Sequence, residues 1–182
     1  RGQDAAGMVV CETSGKLNSR KSKGYVRDVF QQNHMNNLQG NLGIGHVRYP
    51  TAGGIGKEFA QPMYVNTPYG ISLAHNGNLT NSKKLAAELF HAERRHINTD
   101  SDSEVLLNIF ALELSKQEAV FPKPKDFFSA VEKTHLRING AYAVVALITG
   151  YGILAFRDPL GIRPLSIGIR KGKNRNEYVV SS

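Results

Sequence analysis

The sequence AYAVVALIT at residues 141–149 is an apolar run of strand length that ends at Gly150. Short runs that are bounded by glycine and rich in β-branched or aromatic residues are typical of buried strands. The same pattern predicts further strands over residues 152–157, 164–169 and 177–181. The C-terminal part of the chain is therefore predicted to be β-sheet, with Gly150 and Gly161 in its turns.

The N-terminal part also favours strands, over residues 7–10, 42–47 and 71–74, whereas the middle of the chain favours helices. Thr80 or Asn81 is expected to cap a helix that carries Leu85, Leu89 and Phe90 on one face. Ser101 and Glu104 match a capping box before a second helix over residues 105–112, and a third helix is expected over residues 127–133. Strands at both ends with helices between them predict sheets packed beneath helices, an α+β fold.

Length and composition indicate one soluble domain. The 182 residues are 41% hydrophobic and 21% charged, and no apolar run approaches the roughly 20 residues that span a bilayer. No secretory signal is recognisable, and Cys11 is the only cysteine, so we expect a cytoplasmic setting and no membrane partner. Because the chain opens at Arg1 without an initiator Met and stops in a strand-like segment, we also expect it to be a fragment of a longer protein.

The net charge of +8 raises the question of nucleic acid binding. The basic clusters at residues 20–23, 94–96 and 170–173 are short and scattered, in stretches that look turn-rich or exposed. They lack the interleaved aromatic residues of a base-stacking surface. We therefore expect no nucleic acid partner.

Three polar segments suggest a pocket for an amino acid and an oxyanion: GHVRYPTAG at residues 45–53, LAHNGNL at 73–79 and NTDSDSE at 98–104. Arg48 offers a cation for a carboxylate, and Asp102 offers a carboxylate for an ammonium group. Asn76 and Gly77 offer a side-chain amide and an unhindered backbone N–H, which are the donors of an oxyanion hole. Thr51 begins a glycine-containing stretch that can form a lid over a bound ligand.

Each of these segments also has a purely structural interpretation. Arg48 can be a solvated arginine at a strand end, and Asn76-Gly77 alone favours the tight turn of a β-hairpin. Asp102 falls in the first turn of a helix, where a carboxylate is stabilised by the helix dipole. Residues 157–164, RDPLGIRP, favour an ion-paired turn between two strands.

The sequence offers no convincing nucleophile and no metal site. Cys11 lies at the end of a short apolar run without a neighbouring His or Lys, which indicates an inert strand thiol. The six histidines lack the spacing of metal ligands, and no glycine-rich phosphate loop is present.

Taken together, the segments resemble the glutamine-hydrolysing domain of class II amidotransferases, a branch of the N-terminal-nucleophile hydrolases. The resemblance runs nearly end to end, and its motifs are most similar to the members that form phosphoribosylamine for purine synthesis. It is carried by RGQDAAG at residues 1–7, GIGHVRYPTAG at 43–53, AHNGNLT at 74–80, SDSE at 101–104 and AFRDPLGIRPL at 155–165. It implies a four-layer αββα sandwich in which residues 1–182 form a single, incomplete domain that lacks its first strand.

The resemblance also implies a role for each candidate residue. Arg48 would hold the α-carboxylate of glutamine and Asp102 its α-ammonium group, while Asn76 and the N–H of Gly77 would stabilise the tetrahedral oxyanion. Thr51 and the residues after it would form the lid. The nucleophile of this family is an N-terminal cysteine upstream of the Arg1-Gly2-Gln3 motif, so the 182 residues alone are expected to be inactive.

No cofactor is implied in this domain. The resemblance implies a C-terminal phosphoribosyltransferase domain that uses Mg²⁺ and phosphoribosyl diphosphate, and a homo-oligomeric full-length protein. Two alternatives remain at this point: a hexosamine-forming or asparagine-forming amidotransferase, and a non-catalytic binding domain of the same fold.

Overall fold

The strands form two antiparallel sheets and a separate hairpin in the computed structural model, which describes residues 4–49, 56–173 and 175–182. The first sheet, in the order β2-β1-β3, consists of β1 (Ala5–Cys11), β2 (Leu17–Lys23) and β3 (Leu42–Arg48). The second, in the order β4-β5-β6-β7, consists of β4 (Met63–Val65), β5 (Ile71–Leu79), β6 (Gly140–Ile148) and β7 (Gly152–Arg157). The hairpin consists of β8 (Ser166–Arg170) and β9 (Glu177–Ser181).

Three long helices follow one another between β5 and β6 of the second sheet: α3 (Ser82–His91), α4 (Asp102–Ser115) and α5 (Pro124–Arg137). The shorter helical segments are α1 (Val26–Val29), α2 (Gln32–Asn36) and a 3-10 turn at Lys57–Phe59. Helix α4 is apolar on nearly every face and is buried between α3, α5 and the second sheet. None of the helices in the described ranges is both long and apolar enough to cross a membrane.

The core has two parts, one on each face of the second sheet. On one face, Tyr142 and Val144 of β6 pack in the cluster that contains Phe110 of α4. On the other face, Leu147 of β6 packs against Val9 of β1 in the first sheet. Helices therefore cover one sheet, and that sheet lies on the other, with α1 against β1 and β2. The predicted α+β sandwich is confirmed.

The predicted hairpin turn at Asn76-Gly77 is wrong, because β5 continues through both residues and pairs with β6 over its whole length. Gly77 is needed for a different reason. Its φ is +144°, and a Cβ at this position would lie 2.0 Å from the backbone oxygen of Ala141. The close approach of β6 thus explains the glycine that local sequence assigns to a turn.

Some details of the helices also differ from the predictions. Phe90 is 56% exposed and does not join Leu85 and Leu89 in the core. The hydroxyl of Ser101 caps α4 by accepting the N–H of Ser103 (3.3 Å), but the carboxylate of Glu104 does not complete a capping box. It accepts the N–H groups of Asn98 (2.9 Å) and Thr99 (2.8 Å) and so anchors the segment before the helix.

Two strands escaped prediction because their sequences carry little apolar signal. Strand β2 has the polar sequence LNSRKSK and contains the basic residues 20–23 that were expected in a turn-rich or exposed stretch. It is held by pairing along the full length of β1. Strand β4 has only three residues, opposite the first residues of β5.

Residues 157–164 do not form the expected ion-paired turn of a hairpin, because β7 and β8 belong to different sheets. The carboxylate of Asp158 instead accepts backbone N–H groups from Ile162 (2.9 Å), Arg163 (3.0 Å) and Tyr142 (3.3 Å). Burial favours a raised pKa for Asp158, but these hydrogen bonds outweigh it and keep the pKa below its ordinary value.

Candidate functional site

Arg48 ends β3 as a buried, ion-paired side chain. Its Nη1 donates to the carboxylate of Asp4, and its Cζ lies 5.4 Å from the centre of the Phe59 ring. Asp4 directly precedes Ala5, the cross-strand neighbour of Arg48, so the pairing of β1 with β3 brings the two charges together. With Arg48 only 8% exposed, the alternative of a solvated strand-end arginine is wrong.

His46 links β3 to the second sheet through Asn76. His46 and Arg48 lie two residues apart on β3 and therefore on the same face, and His46 Nε2 is 2.9 Å from Asn76 Oδ1. Burial lowers the pKa of His46, and the charge of Arg48 lowers it further, while the bond to Asn76 opposes both. A neutral His46 with its proton on Nε2 holds the amide oxygen of Asn76 and leaves the amide N–H₂ to donate elsewhere.

The backbone N–H of Gly77 points to the side of β5 that faces away from β6. The neighbouring His75 establishes this direction, because its N–H donates to Gln61 Oε1 (2.7 Å) and its C=O accepts from Gln61 Nε2 (3.3 Å) on that side. Backbone groups of successive residues in an extended strand point to opposite sides, so Asn76 faces β6 and the Gly77 N–H faces away from it. Gly77 is also exposed, so this N–H is accessible to a ligand.

Asp102 lies at the same end of β5, in the first turn of α4. Its Oδ2 accepts the N–H of Leu79 (2.9 Å), and its Oδ1 is 3.9 Å from Nδ1 of His75. The side chain is 23% exposed, so it can meet a ligand, and the N-terminus of α4 favours its negative charge.

His75 is buried behind Asn76, with Nδ1 3.0 Å from the hydroxyl of Ser103. Burial lowers its pKa to about 4, although the nearby charge of Asp102 acts in the opposite direction. His46 and Arg163 lower it further. At neutral pH the ring is therefore uncharged, and Asp102 is not neutralised by an imidazolium beneath it.

We expect the stability of the protein to fall in mild acid because of His75. An unfolded histidine has a pKa of about 6.5, so between that value and about 4 the unfolded state binds the extra proton. The contribution of His75 to the free energy of unfolding is fully present above about pH 6.5. It decreases by about 3 kcal/mol in total as pH falls toward 4. Urea unfolding of wild type and His75→Gln across this range measures it. An NMR titration placing His75 near pKa 6.5 would contradict the expectation.

The structure thus brings Arg48, Asn76, Gly77 and Asp102 to one end of the two facing sheets. Thr51 and the first part of the lid predicted over residues 51–59 lie outside the described residues, whereas residues 57–59 form the 3-10 turn. Cys11 lies six residues along β1 from Ala5, about 20 Å away. It is buried, and its thiol contacts the backbone oxygen of Glu12 at 3.4 Å, as expected for an inert strand thiol.

Sequence reasoning missed four residues that organise this cluster: Asp4, His46, Gln61 and His75. The alternation of His46 and Arg48 along one strand was a usable signal, since residues two apart share a face. The other contacts join residues distant in sequence, such as Asp4 and Arg48, and have no local signature.

Comparisons with known proteins show the family to which the chain belongs. The family described as "Glutamine amidotransferase domain" matches residues 55–182, which is most of the chain. The chain therefore belongs to the glutamine amidotransferase family.

Within this family, the chain is similar to curated amidophosphoribosyltransferases. The chain is 58% identical over its full length to the amidophosphoribosyltransferase of Pseudomonas aeruginosa, 56% to that of Escherichia coli K12 and 50% to that of Schizosaccharomyces pombe. It covers 36%, 36% and 34% of these proteins, respectively, so it spans about one third of their length.

Two solved structures show the same fold. Glutamine phosphoribosylpyrophosphate amidotransferase from B. subtilis, complexed with ADP and GMP, matches with a TM-score of 0.77 and 31% identity over 98% of this chain and 35% of that chain. A structure described as the allosteric regulatory enzyme of purine biosynthesis matches with a TM-score of 0.79 and 34% identity, over 98% of this chain and 36% of that chain. These matches confirm the N-terminal-nucleophile hydrolase fold implied by the resemblance.

Proposed function

We propose that the chain is the glutamine-hydrolysing domain of a longer amidophosphoribosyltransferase, called the parent protein below. The parent protein would use ammonia from glutamine to convert phosphoribosyl diphosphate into 5-phosphoribosylamine, the first committed step of purine synthesis. The proposal rests mainly on one observation: the structure places Arg48, Asn76, Gly77 and Asp102 at the same end of the sandwich. Full-length similarity to amidophosphoribosyltransferases supports it.

In this proposal glutamine is held by its two charged groups. Arg48 binds the α-carboxylate, and Asp102 binds the α-ammonium group through its partly exposed carboxylate. Opposite charges on either side of Asn76 would fix the orientation of the substrate, so that its side-chain amide lies at the oxyanion donors. Thr51 keeps its proposed place in the lid.

The chemistry requires a thiolate, which we assign to an N-terminal cysteine outside the 182 residues. The thiolate attacks the amide carbon, and the Gly77 N–H and the Asn76 side chain donate to the resulting oxyanion. The α-amino group of the cysteine transfers the proton to the leaving nitrogen, the C–N bond breaks, and ammonia departs from a thioester that water hydrolyses to glutamate. Cys11 is buried far from Arg48, so the 182 residues alone would bind glutamine without hydrolysing it.

The acceptor half of the reaction is assigned to a C-terminal phosphoribosyltransferase domain of the parent protein. That domain would bind phosphoribosyl diphosphate with Mg²⁺, while the glutaminase domain itself needs no cofactor. The proposal also includes a cytoplasmic homo-oligomer without nucleic acid or membrane partners. The presence of a further domain is supported by the similar amidophosphoribosyltransferases, of which this chain covers 34–36% of the length.

Glutamine turnover by the purified parent protein, with and without phosphoribosyl diphosphate, tests this function. We expect glutamate release that is stimulated by phosphoribosyl diphosphate, together with formation of phosphoribosylamine. Turnover stimulated by fructose 6-phosphate or aspartate would instead support the hexosamine-forming or asparagine-forming alternative. Absence of glutaminase activity would contradict the proposal and favour a non-catalytic domain.

The variant Asp102→Asn of the parent protein is expected to raise the KM for glutamine about 10- to 100-fold, the range for one lost charge-assisted hydrogen bond. Asparagine keeps an oxygen that can accept the Leu79 N–H, so the fold should be preserved. Asp126→Asn is the matched control, because Asp126 similarly accepts a backbone N–H, that of Lys123 (2.7 Å), at the start of α5. Steady-state kinetics measure both, and an unchanged KM in Asp102→Asn would remove Asp102 from the site.

A further inference from the structure

The side chain of Gln61 occupies a position that normally belongs to a neighbouring strand. Strand β4 pairs with β5 in a register that places Met63 opposite Leu73, and continuing it would place the backbone of Gln61 opposite His75. The ladder ends at Met63, and the Gln61 carboxamide makes the two bonds instead: Oε1 accepts the His75 N–H (2.7 Å), and Nε2 donates to the His75 C=O (3.3 Å).

The backbone of Gln61 turns toward the first sheet, so the residue bridges both sheets. A Cβ on Gly7 of β1 would lie 2.0 Å from the Gln61 backbone oxygen, which shows how closely the two segments pack. Two nearby residues, Phe59 and Pro62, also contact side chains of the first sheet. The ring of Phe59 contacts the Arg48 guanidinium, and the backbone oxygen of Pro62 accepts a hydrogen bond from Lys21 (3.2 Å).

We propose that Gln61 is a positioning residue for the oxyanion hole. Its carboxamide fixes the backbone of His75. This residue directly precedes Asn76, whose side chain forms the oxyanion hole together with the N–H of Gly77. Gln61 is 7% exposed, and both bonds are buried, so the carboxamide is a rigid anchor that water cannot readily replace. This inference rests on the proposed glutaminase function, because Gln61 acts through the donors assigned to that reaction.

Gln61→Ala in the parent protein is expected to lower kcat for glutamine hydrolysis about 10- to 100-fold, as small misplacements of catalytic groups do. The KM for glutamine should change less than about threefold, because Arg48 and Asp102 are untouched. Gln117→Ala is the matched control: its carboxamide also bonds a backbone oxygen, that of Glu113 (3.1 Å), but at the far end of α4. A Gln61→Ala variant with the kcat of wild type would overturn the proposal.

The variant Gln61→Glu tests whether a change in kcat comes from the two bonds to His75 or from a general loss of structure. An ionised glutamate can accept the His75 N–H but cannot donate to the His75 C=O, whereas a protonated glutamate can do both. Burial should raise the pKa of this carboxyl, so the kcat of Gln61→Glu relative to wild type is expected to rise as pH is lowered from 8 to 6. A ratio that stays constant with pH would contradict the proposal.

A measurement on the 182-residue chain distinguishes failure of this inference from failure of the proposed function. Amide hydrogen exchange of His75, whose N–H is bonded by Gln61, is expected to accelerate at least tenfold in Gln61→Ala and not in Gln117→Ala, as followed by NMR. Unchanged exchange would overturn the anchoring role even if the parent protein hydrolyses glutamine. Accelerated exchange with a wild-type parent protein that hydrolyses no glutamine would support the anchor and reject the function.

Discussion

Gly77→Ala is expected to prevent stable folding of the chain, with a loss of more than about 4 kcal/mol in the free energy of unfolding. The added Cβ would lie 2.0 Å from the backbone oxygen of Ala141 and 2.8 Å from Cα of Tyr142. Both atoms belong to backbone in the middle of the second sheet, so neither can move without breaking the pairing of β5 with β6. The φ of +144° adds strain for any residue with a side chain.

Gly150→Ala is the control for the effect of backbone angle alone. Gly150 also has a positive φ, +83°, but a Cβ there would meet no atom within 4 Å. This substitution is expected to cost only about 1–2 kcal/mol. Urea unfolding followed by circular dichroism measures both variants, and equal losses for the two would contradict the packing argument.

Asn76→Ala in the parent protein is expected to lower kcat for glutamine hydrolysis about 100- to 1000-fold, the usual effect of removing one oxyanion-hole donor. The developing negative charge exists only in the transition state, so KM should remain near the wild-type value. The bond from His46 Nε2 to Asn76 Oδ1 orients the amide, which makes its N–H₂ a preorganised donor.

Asn18→Ala is the matched control for the loss of kcat in Asn76→Ala. Asn18 is also partly buried and donates through its amide to Glu12 (2.7 Å) and to the backbone of Gln39 (3.1 Å). It lies opposite Val10, about 17 Å along β1 from the Arg48 end. Kinetics at saturating glutamine compare the variants. Equal kcat values for Asn76→Ala and wild type would exclude Asn76 as an oxyanion donor.

The sequence predicted those parts of the fold that depend on local pattern. Residues 152–157 and 177–181 form strands with the predicted bounds, and the apolar run at residues 141–149 forms β6 with a shift of one residue. Ser101 caps α4 as expected. In each case the signal lies within a few residues, in an apolar run or a cap.

Features that depend on distant residues could not be predicted in this way. Asn76-Gly77 has the composition of a turn, but the backbone of β6, more than sixty residues later in the chain, fixes it as a strand. The role of Gln61 depends on where β4 begins: the strand starts two residues later, at Met63, and leaves the backbone groups of His75 to the Gln61 side chain. The burial of Arg48 depends on Asp4, which reaches it through sheet pairing.

Labelling of the parent protein with an electrophilic glutamine analogue, followed by mass spectrometry of the modified peptide, tests the central claim most directly. The claim is that this domain supplies the glutamine clamp and oxyanion hole to a cysteine outside residues 1–182. The predicted result is one adduct on an N-terminal cysteine of the parent protein, with Cys11 unmodified. An adduct on Cys11, or no adduct on the intact parent protein, would contradict the claim.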